Sequence, residues 1–324
     1  MDVIVSKFNE VYIRIKCEPS IARELSEFFT FEVPNAKFMP SVRNRLWDGK
    51  IRLFSPGTGK IYYGLLPYVQ RFIKEQGYAL KYDSDFLKRN LDKSITTKFV
   101  RSLQRKKFKA RDYQIDAIHN ILESDRGLIL SPTGSGKSFI IYALTRYYIE
   151  KLDHKKILIV VPTTSLVEQM YSDFADYGWD SEEQCHRLYA GHDKETDKKV
   201  VISTWQSIYK LDKSYFKQFG AVFVDECHLA KAKSLTGIMT KLSDCKYRIG
   251  TTGTLDGTEV HQLVLEGLFN VHEQVTTTSK LIERKELSNL HIRCLVLEHT
   301  LSNRKLMKGK TYQQEMEYIS THRK

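Results

Sequence analysis

Two short stretches of this 324-residue chain combine residue types that could handle phosphate groups. The first is Leu128–Ser138, LILSPTGSGKS, an apolar run that breaks into a glycine-bearing loop ending in Lys and Ser. Gly134 and Gly136 would let the backbone of Thr133, Gly134, Ser135 and Gly136 curl until its N–H groups point at phosphate oxygens, and the helix that follows adds its positive end. Lys137 could then reach the terminal phosphates, and the Ser138 hydroxyl could ligate Mg²⁺. The usual spacing GxxxxGK[ST] opens on Gly, whereas this chain has Ser131 there, so the stretch alone leaves an ordinary glycine turn as an alternative.

The second stretch is Ala221–His228, AVFVDECH, in which four apolar residues deliver two carboxylates. Asp225 could hold Mg²⁺ through water, and Glu226 could orient or deprotonate a water that attacks the γ-phosphate. Either stretch alone has a bland reading. Together, in this order, they point to binding and hydrolysis of ATP with Mg²⁺.

Such groups need strands that end where a ligand sits. The pattern predicts helices over 113–123, 137–151 and 165–177, and strands over 127–131, 156–161, 187–190, 199–203, 220–225 and 247–251. Strand–helix alternation at this spacing implies a doubly wound parallel sheet. Its ligands gather at the C-terminal strand ends, which places Pro162, Thr163, Thr204 and Gln206 on the same rim as Lys137 and Glu226.

The ordered motifs SPTGSGKS, VVPTTSLVEQ, VISTWQS, DECH and TTGTL resemble those of the first motor domain of superfamily 2 helicases, DExH branch, and KARDYQIDAI resembles their adenine-recognition segment. The basic N-terminal extension makes the likeness strongest to phage recombination and repair members. The resemblance implies a RecA-like, P-loop NTPase fold, with Arg111 and Gln114 at the adenine end. It also implies that Thr163 and Thr204 contact a nucleic-acid backbone, and that His228 couples nucleotide state to Thr252 and Thr254. In this family Ser131 is an ordinary opening for the loop. The family's QxxGRxxR segment, which supplies arginines to the γ-phosphate, has no counterpart in the sequence, so the expectation is a fragment or half motor.

A formal charge of +12 favours a polyanionic partner. Residues 1–110 hold 22 Lys and Arg against 11 Asp and Glu, so nearly the whole excess precedes the motor. Alternation of Val3 and Val5, then Val11, Ile13 and Ile15, predicts a hairpin; helices are expected over 22–29 and 65–77, the latter stopped by Gly77. Lys37, Arg43, Arg45, Lys50 and Arg52, interleaved with Phe38 and Trp47, form a candidate nucleic-acid contact, with Trp47 and Phe54 better suited to packing. The expected organisation is a small basic α+β nucleic-acid-binding domain over 1–100, a motor domain over 101–280, and over 281–324 a linker and the start of a second motor domain, with a strand near 290–297 and a helix to the end.

Five widely spaced cysteines without a CxxC pair suit reduced thiols, and no apolar run approaches a membrane span. The expectation is a cytoplasmic monomer, in the host's cytoplasm for a phage protein, acting on single-stranded, branched or RNA–DNA hybrid nucleic acid. A non-catalytic nucleic-acid- and ATP-binding module, or a motor subunit of a restriction or remodelling enzyme, would share these motifs.

Overall fold

The computed structural model describes residues 2–83, 86, 89–105, 108–229, 232–255, 259–289, 293–294 and 300–321. Val3 and Val5 on β1 (Asp2–Lys7) and Ile13 and Ile15 on β2 (Tyr12–Lys16) point to one face of an antiparallel pair and are buried beneath α1 (Pro19–Phe28). A two-stranded ribbon, β3 (Thr30–Glu32) with β4 (Lys50–Arg52), carries the segment between them as an excursion. Then β5 (Lys60–Tyr62), α2 (Leu66–Glu75) and β6 (Ala79–Tyr82) complete a sheet of order β5-β2-β1-β6. Gly77 ends α2 with φ +71°, as its position suggested. Phe54 lies in this core, and Trp47 donates its indole N–H to the Lys50 carbonyl at 2.9 Å, so both aromatics serve packing and turns.

Helix α3 (Lys93–Ser102) packs on α4 (Asp112–Ser124), and Val100 and Leu103 join the motor core. Alternation then runs through β7 (Arg126–Leu130), α5 (Lys137–Ile149), β8 (Lys156–Val161), α6 (Thr164–Asp176), β9 (Cys185–Leu188), β10 (Val200–Thr204), β11 (Phe219–Val224), α7 (Ala232–Lys241), β12 (Tyr247–Thr252), α8 (Glu259–Leu268) and β13 (His272–Gln274). The seven strands lie parallel in the order β13-β7-β12-β11-β8-β10-β9. Strands β8, β10 and β11 are buried almost throughout because helices cover both faces, which is why they read as unbroken apolar runs. Helix α5 is apolar nearly all round for the same reason. Two differences from expectation stand out: β9 begins two residues earlier, and β13 adds a polar edge strand that no apolar run announces.

Residues 2–287 form one compact unit that includes the short helix α9 (Thr278–Glu283), and 288–321 belong to a second. The second contains α10 (Leu301–Met307) and α11 (Tyr312–Thr321), separated by Gly309 at φ +82° where a single helix was expected. The strand expected near 290–297 lies outside the described residues, apart from Arg293 and Cys294. No helix among the described residues is long and apolar enough to cross a membrane.

Candidate nucleotide site and nucleic-acid face

The loop after β7 turns where its composition said it would. Gly134 and Gly136 sit at φ +81° and +80°, and a Cβ on Gly136 would come within 2.3 Å of the Gln114 amide. Ser131 has no left-handed backbone, so glycine is not required there. Its buried hydroxyl bonds Ser135 at 2.7 Å, and Ser135 in turn donates to the Pro132 carbonyl at 2.6 Å, stiffening the loop from inside.

Around this loop lies a cavity of about 400 Å³ lined by Thr133, Gly134, Gly136, Lys137, Ser138, Asp225 and Glu226, and by Leu166, Gln169, Met170 and Asp173 of α6. The Lys137 ammonium pairs with Glu226 Oε1 at 2.9 Å and donates to the Ser131 carbonyl at 3.3 Å. Asp225 Oδ1 accepts from Thr251 Oγ1 at 2.6 Å and from the Glu226 N–H at 2.9 Å. Burial raises the Asp225 carboxyl above its ordinary range, and the hydrogen bond from Thr251 opposes that shift. Ser138 and Asp225 offer hard oxygen donors beside an ammonium and two left-handed glycines. That set fits Mg²⁺ with phosphate oxygens.

Glu226 takes a left-handed φ of +46°, which turns its side chain toward both Lys137 and the TTG turn. Its Oε2 accepts from the Gly253 N–H at 3.3 Å and lies 3.4 Å from His228 Nδ1. His228 Nδ1 is also 2.6 Å from Thr252 Oγ1, whose own proton goes to the Thr254 carbonyl at 2.7 Å. That accounting puts the ring proton on Nδ1, donating to Thr252 and facing Glu226. The three residues expected to couple nucleotide state thus form one chain that starts on the Glu226 carboxylate.

At the end expected to hold adenine, Gln114 is buried and its amide is spent locally: Oε1 accepts from the Arg111 N–H at 2.9 Å and Nε2 donates to the Ser135 carbonyl at 2.9 Å. Arg111 donates to the Tyr113 hydroxyl at 2.6 Å and the Gly134 carbonyl at 3.1 Å, and pairs with Glu286 at 3.2 Å. Leu287 packs over Gly134, where a Cβ would meet it at 2.7 Å. Sequence reasoning missed Thr251, Tyr113, Asp173, Glu286 and Leu287. Thr251 and Tyr113 lie inside quoted motifs and were within reach; the others carry no local signal.

On the rim, Gln206 donates to the Pro162 carbonyl at 3.4 Å and so joins the loops after β10 and β8. Exposed Thr163 caps α6 by accepting from the Leu166 N–H at 3.3 Å. Thr204 is buried, with its hydroxyl 2.9 Å from Ser207, so Thr163 and Gln206 are the more accessible. In the N-terminal excursion, Lys37, Arg43 and Arg45 are exposed, Lys37 above the Phe38 ring at 5.1 Å. Lys50 pairs with Glu32 at 3.4 Å and Arg52 with Asp48 at 2.5 Å, which reduces their share of the positive face.

The opposite end of the sheet holds two arginines that nothing in the motifs suggested. Arg126 on β7 and Arg248 on β12 are register partners, both buried. Arg248 donates to the carbonyls of Met239, Leu242 and Leu268 at 2.8, 2.9 and 3.2 Å, the C-terminal ends of α7 and α8. Arg126 donates to the Phe269 carbonyl at 2.8 Å and to the Glu10 carbonyl at 3.3 Å, with the Tyr63 ring 4.1 Å away. Burial lowers both guanidinium pKa values, that of Arg126 to about 9. Next to them buried Glu266 accepts from Tyr68 at 2.5 Å, from Gln262 at 3.0 Å and contacts His272 Nδ1 at 2.6 Å.

Comparison with known proteins agrees with this architecture. Residues 2–83 match the family described as "DNA helicase UvsW, N-terminal", and residues 107–257 that described as "Type III restriction enzyme, res subunit". The chain is 34% identical over 329 residues to the ATP-dependent DNA helicase uvsW of Enterobacteria phage T4, covering 99% of this chain and 65% of that relative. It is 32% identical over 154 residues to the DNA 3'-5' translocase XPB2 of Sulfurisphaera tokodaii, covering 46% of this chain and 31% of the relative. The crystal structure of the UvsW helicase from bacteriophage T4 superposes with a TM-score of 0.77 at 35% identity, covering 85% of this chain and 100% of that one. This chain therefore spans 65% of the length of its T4 relative. With a UvsW-type N-terminal module joined to a motor sheet that matches in fold and motif order, the chain belongs to the UvsW family of superfamily 2 helicases.

Proposed function

We propose that this chain carries the ATP-binding motor domain, about 101–280, and the nucleic-acid-binding module, about 1–100, of an ATP-dependent DNA helicase or translocase. Its substrates are branched or RNA–DNA hybrid nucleic acid in recombination, repair and replication, its setting the cytoplasm, its form a monomer. Residues 281–324 are read as the linker and the start of a second motor domain. The observation that carries the reading is the Lys137–Glu226 ion pair at 2.9 Å inside a cavity walled by Ser138 and Asp225.

An ammonium at this place attracts phosphate, and a phosphate competes with Glu226 for it. Glu226, once released, is free to accept a proton from water, while Gly253 and His228 keep it aimed. Ser138 and Asp225 would hold Mg²⁺, which would neutralise phosphate charge. Because Glu226 shares Oε2 with the TTG turn, loss of its ion pair is felt at Thr252 and Thr254. Arg111 closes the adenine end with Gln114 bracing the loop behind it. Lys37, Arg43 and Arg45, with Thr163 and Gln206 on the motor rim, supply backbone contacts to nucleic acid.

The test is Mg²⁺-dependent ATP binding, and ATP turnover with and without single-stranded and branched DNA. Binding lost in Lys137→Ala and turnover lost in Glu226→Gln are expected; a wild-type chain that binds no ATP would overturn the reading.

A further inference from the structure

The wall of the nucleotide cavity contributed by α6 follows helical spacing, Leu166, Gln169, Met170 and Asp173, and one turn further on is Tyr177. The Tyr177 hydroxyl lies 2.9 Å from Ser138 Oγ, and Asp173, on the same cavity wall, has its carboxyl raised by burial and drawn back down by the Ser138 hydroxyl. Tyr177 cannot swing freely. Its ring is enclosed by Phe108, Tyr142 and Phe139, with centroids at 5.0, 5.0 and 5.4 Å, and the carbonyl of the next residue, Gly178, accepts from Arg105 at 3.1 Å.

A serine hydroxyl has one proton and two lone pairs. If it is to give one lone pair to a cation, its proton must go to an acceptor on the other side, and its second lone pair is best occupied by a fixed donor. Asp173 can be only the acceptor and Tyr177 can be the donor, so the two together leave Ser138 a single open direction, into the cavity. Groups in this position orient a metal ligand without touching the metal.

We propose that Asp173 and Tyr177 are positioning residues for Ser138, taking its proton and filling its second lone pair so that the remaining one faces Mg²⁺. This rests on the nucleotide reading above. It assigns to α6, best known by its rim-facing start at Thr163, a second duty at its C-terminal half.

The experiment is a Mg²⁺ titration of fluorescent ATP-analogue binding by the whole chain, with a parallel measurement in EDTA and a melting temperature for each variant. Asp173→Asn should raise the Mg²⁺ concentration for half-maximal binding by about 10–100-fold. Tyr177→Phe keeps the ring and should shift it in the same direction by a few-fold with metal-free affinity unchanged, and the melting temperature should be unchanged in both variants. A midpoint that moves less than about twofold in both variants would overturn the proposal, as would losses of metal-free affinity and stability at an unchanged midpoint, the mark of packing alone. A wild-type chain whose ATP-analogue binding ignores Mg²⁺ would overturn the metal reading, and this proposal with it, whereas a chain that binds no analogue at all would show that the nucleotide reading itself had failed.

Discussion

The two ends of the seven-stranded sheet treat charge in opposite ways. At the C-terminal strand ends, Lys137 and Glu226 satisfy each other in an ion pair for which a ligand could compete, and Asp225 is buried with its carboxyl pushed up. At the N-terminal ends, Arg126 and Arg248 form no ion pair among the described residues and spend their donors on backbone carbonyls of α7, α8 and the N-terminal module. A carbonyl at a helix end cannot rotate away or be titrated. One end of the sheet is built for exchange and the other for permanence, and the same residue types serve either purpose according to what they face.

The contrast can be broken most sharply at Glu226. Glu226→Gln should lower turnover by about 10²–10⁴-fold while ATP affinity changes by a few-fold at most and denaturant stability is unchanged; marked unfolding would mean that this end is structural as well. Arg248→Met should do the reverse. It leaves three buried helix-end carbonyls without donors, about 3 kcal/mol or more of unfolding free energy in a urea titration, and nucleotide affinity in the folded fraction should stay within a few-fold. Tyr68→Phe sharpens the comparison further, since the phenol donates to Glu266 across the joint between module and motor. Its loss should cost about 1–3 kcal/mol, read as faster amide exchange in α2 with strands β8 and β11 unaffected. The smallest effect concerns thiols. Burial pushes Cys185 and Cys245 up to about 12 and Cys227 higher still. Their thiolate fraction at pH 8 is therefore minimal and grows only as pH climbs toward those values, so iodoacetamide at pH 8 should modify exposed Cys294 and spare these three. Rapid labelling of Cys227 would show that the DECH loop opens on its own.

What could be read in the sequence follows the same division. Phosphate chemistry asks for neighbouring residues on one loop, so Lys137, Ser138, Asp225 and Glu226 announce themselves, and the His228–Thr252 contact followed from family likeness. The parallel sheet was legible because its buried strands must be apolar throughout and alternate with helices, whereas the order of the strands was not. The joint was not. Arg126 meets partners 116 and 143 residues away in sequence through main-chain oxygens, which no residue type advertises. Strand β13 was missed because HEQ is polar and pairs on one side only, with β7. Glu286 and Leu287 reach the loop from a stretch read simply as linker. The excursion bearing Lys37, Arg43 and Arg45 was seen as cationic, but pairing of Lys50 and Arg52 with Glu32 and Asp48 is a matter of folding, not composition.

The joint also contains a lock made of nothing but missing side chains. A Cβ on Gly64 of the module would fall 2.0 Å from the Glu266 carbonyl oxygen, and one on Gly267 of α8 would fall 2.8 Å from Tyr62. Each half therefore carries the notch that admits the other half's backbone or ring. A chimera that grafts this module onto a foreign motor would have to import both glycines at once, which makes module and motor a single unit of inheritance.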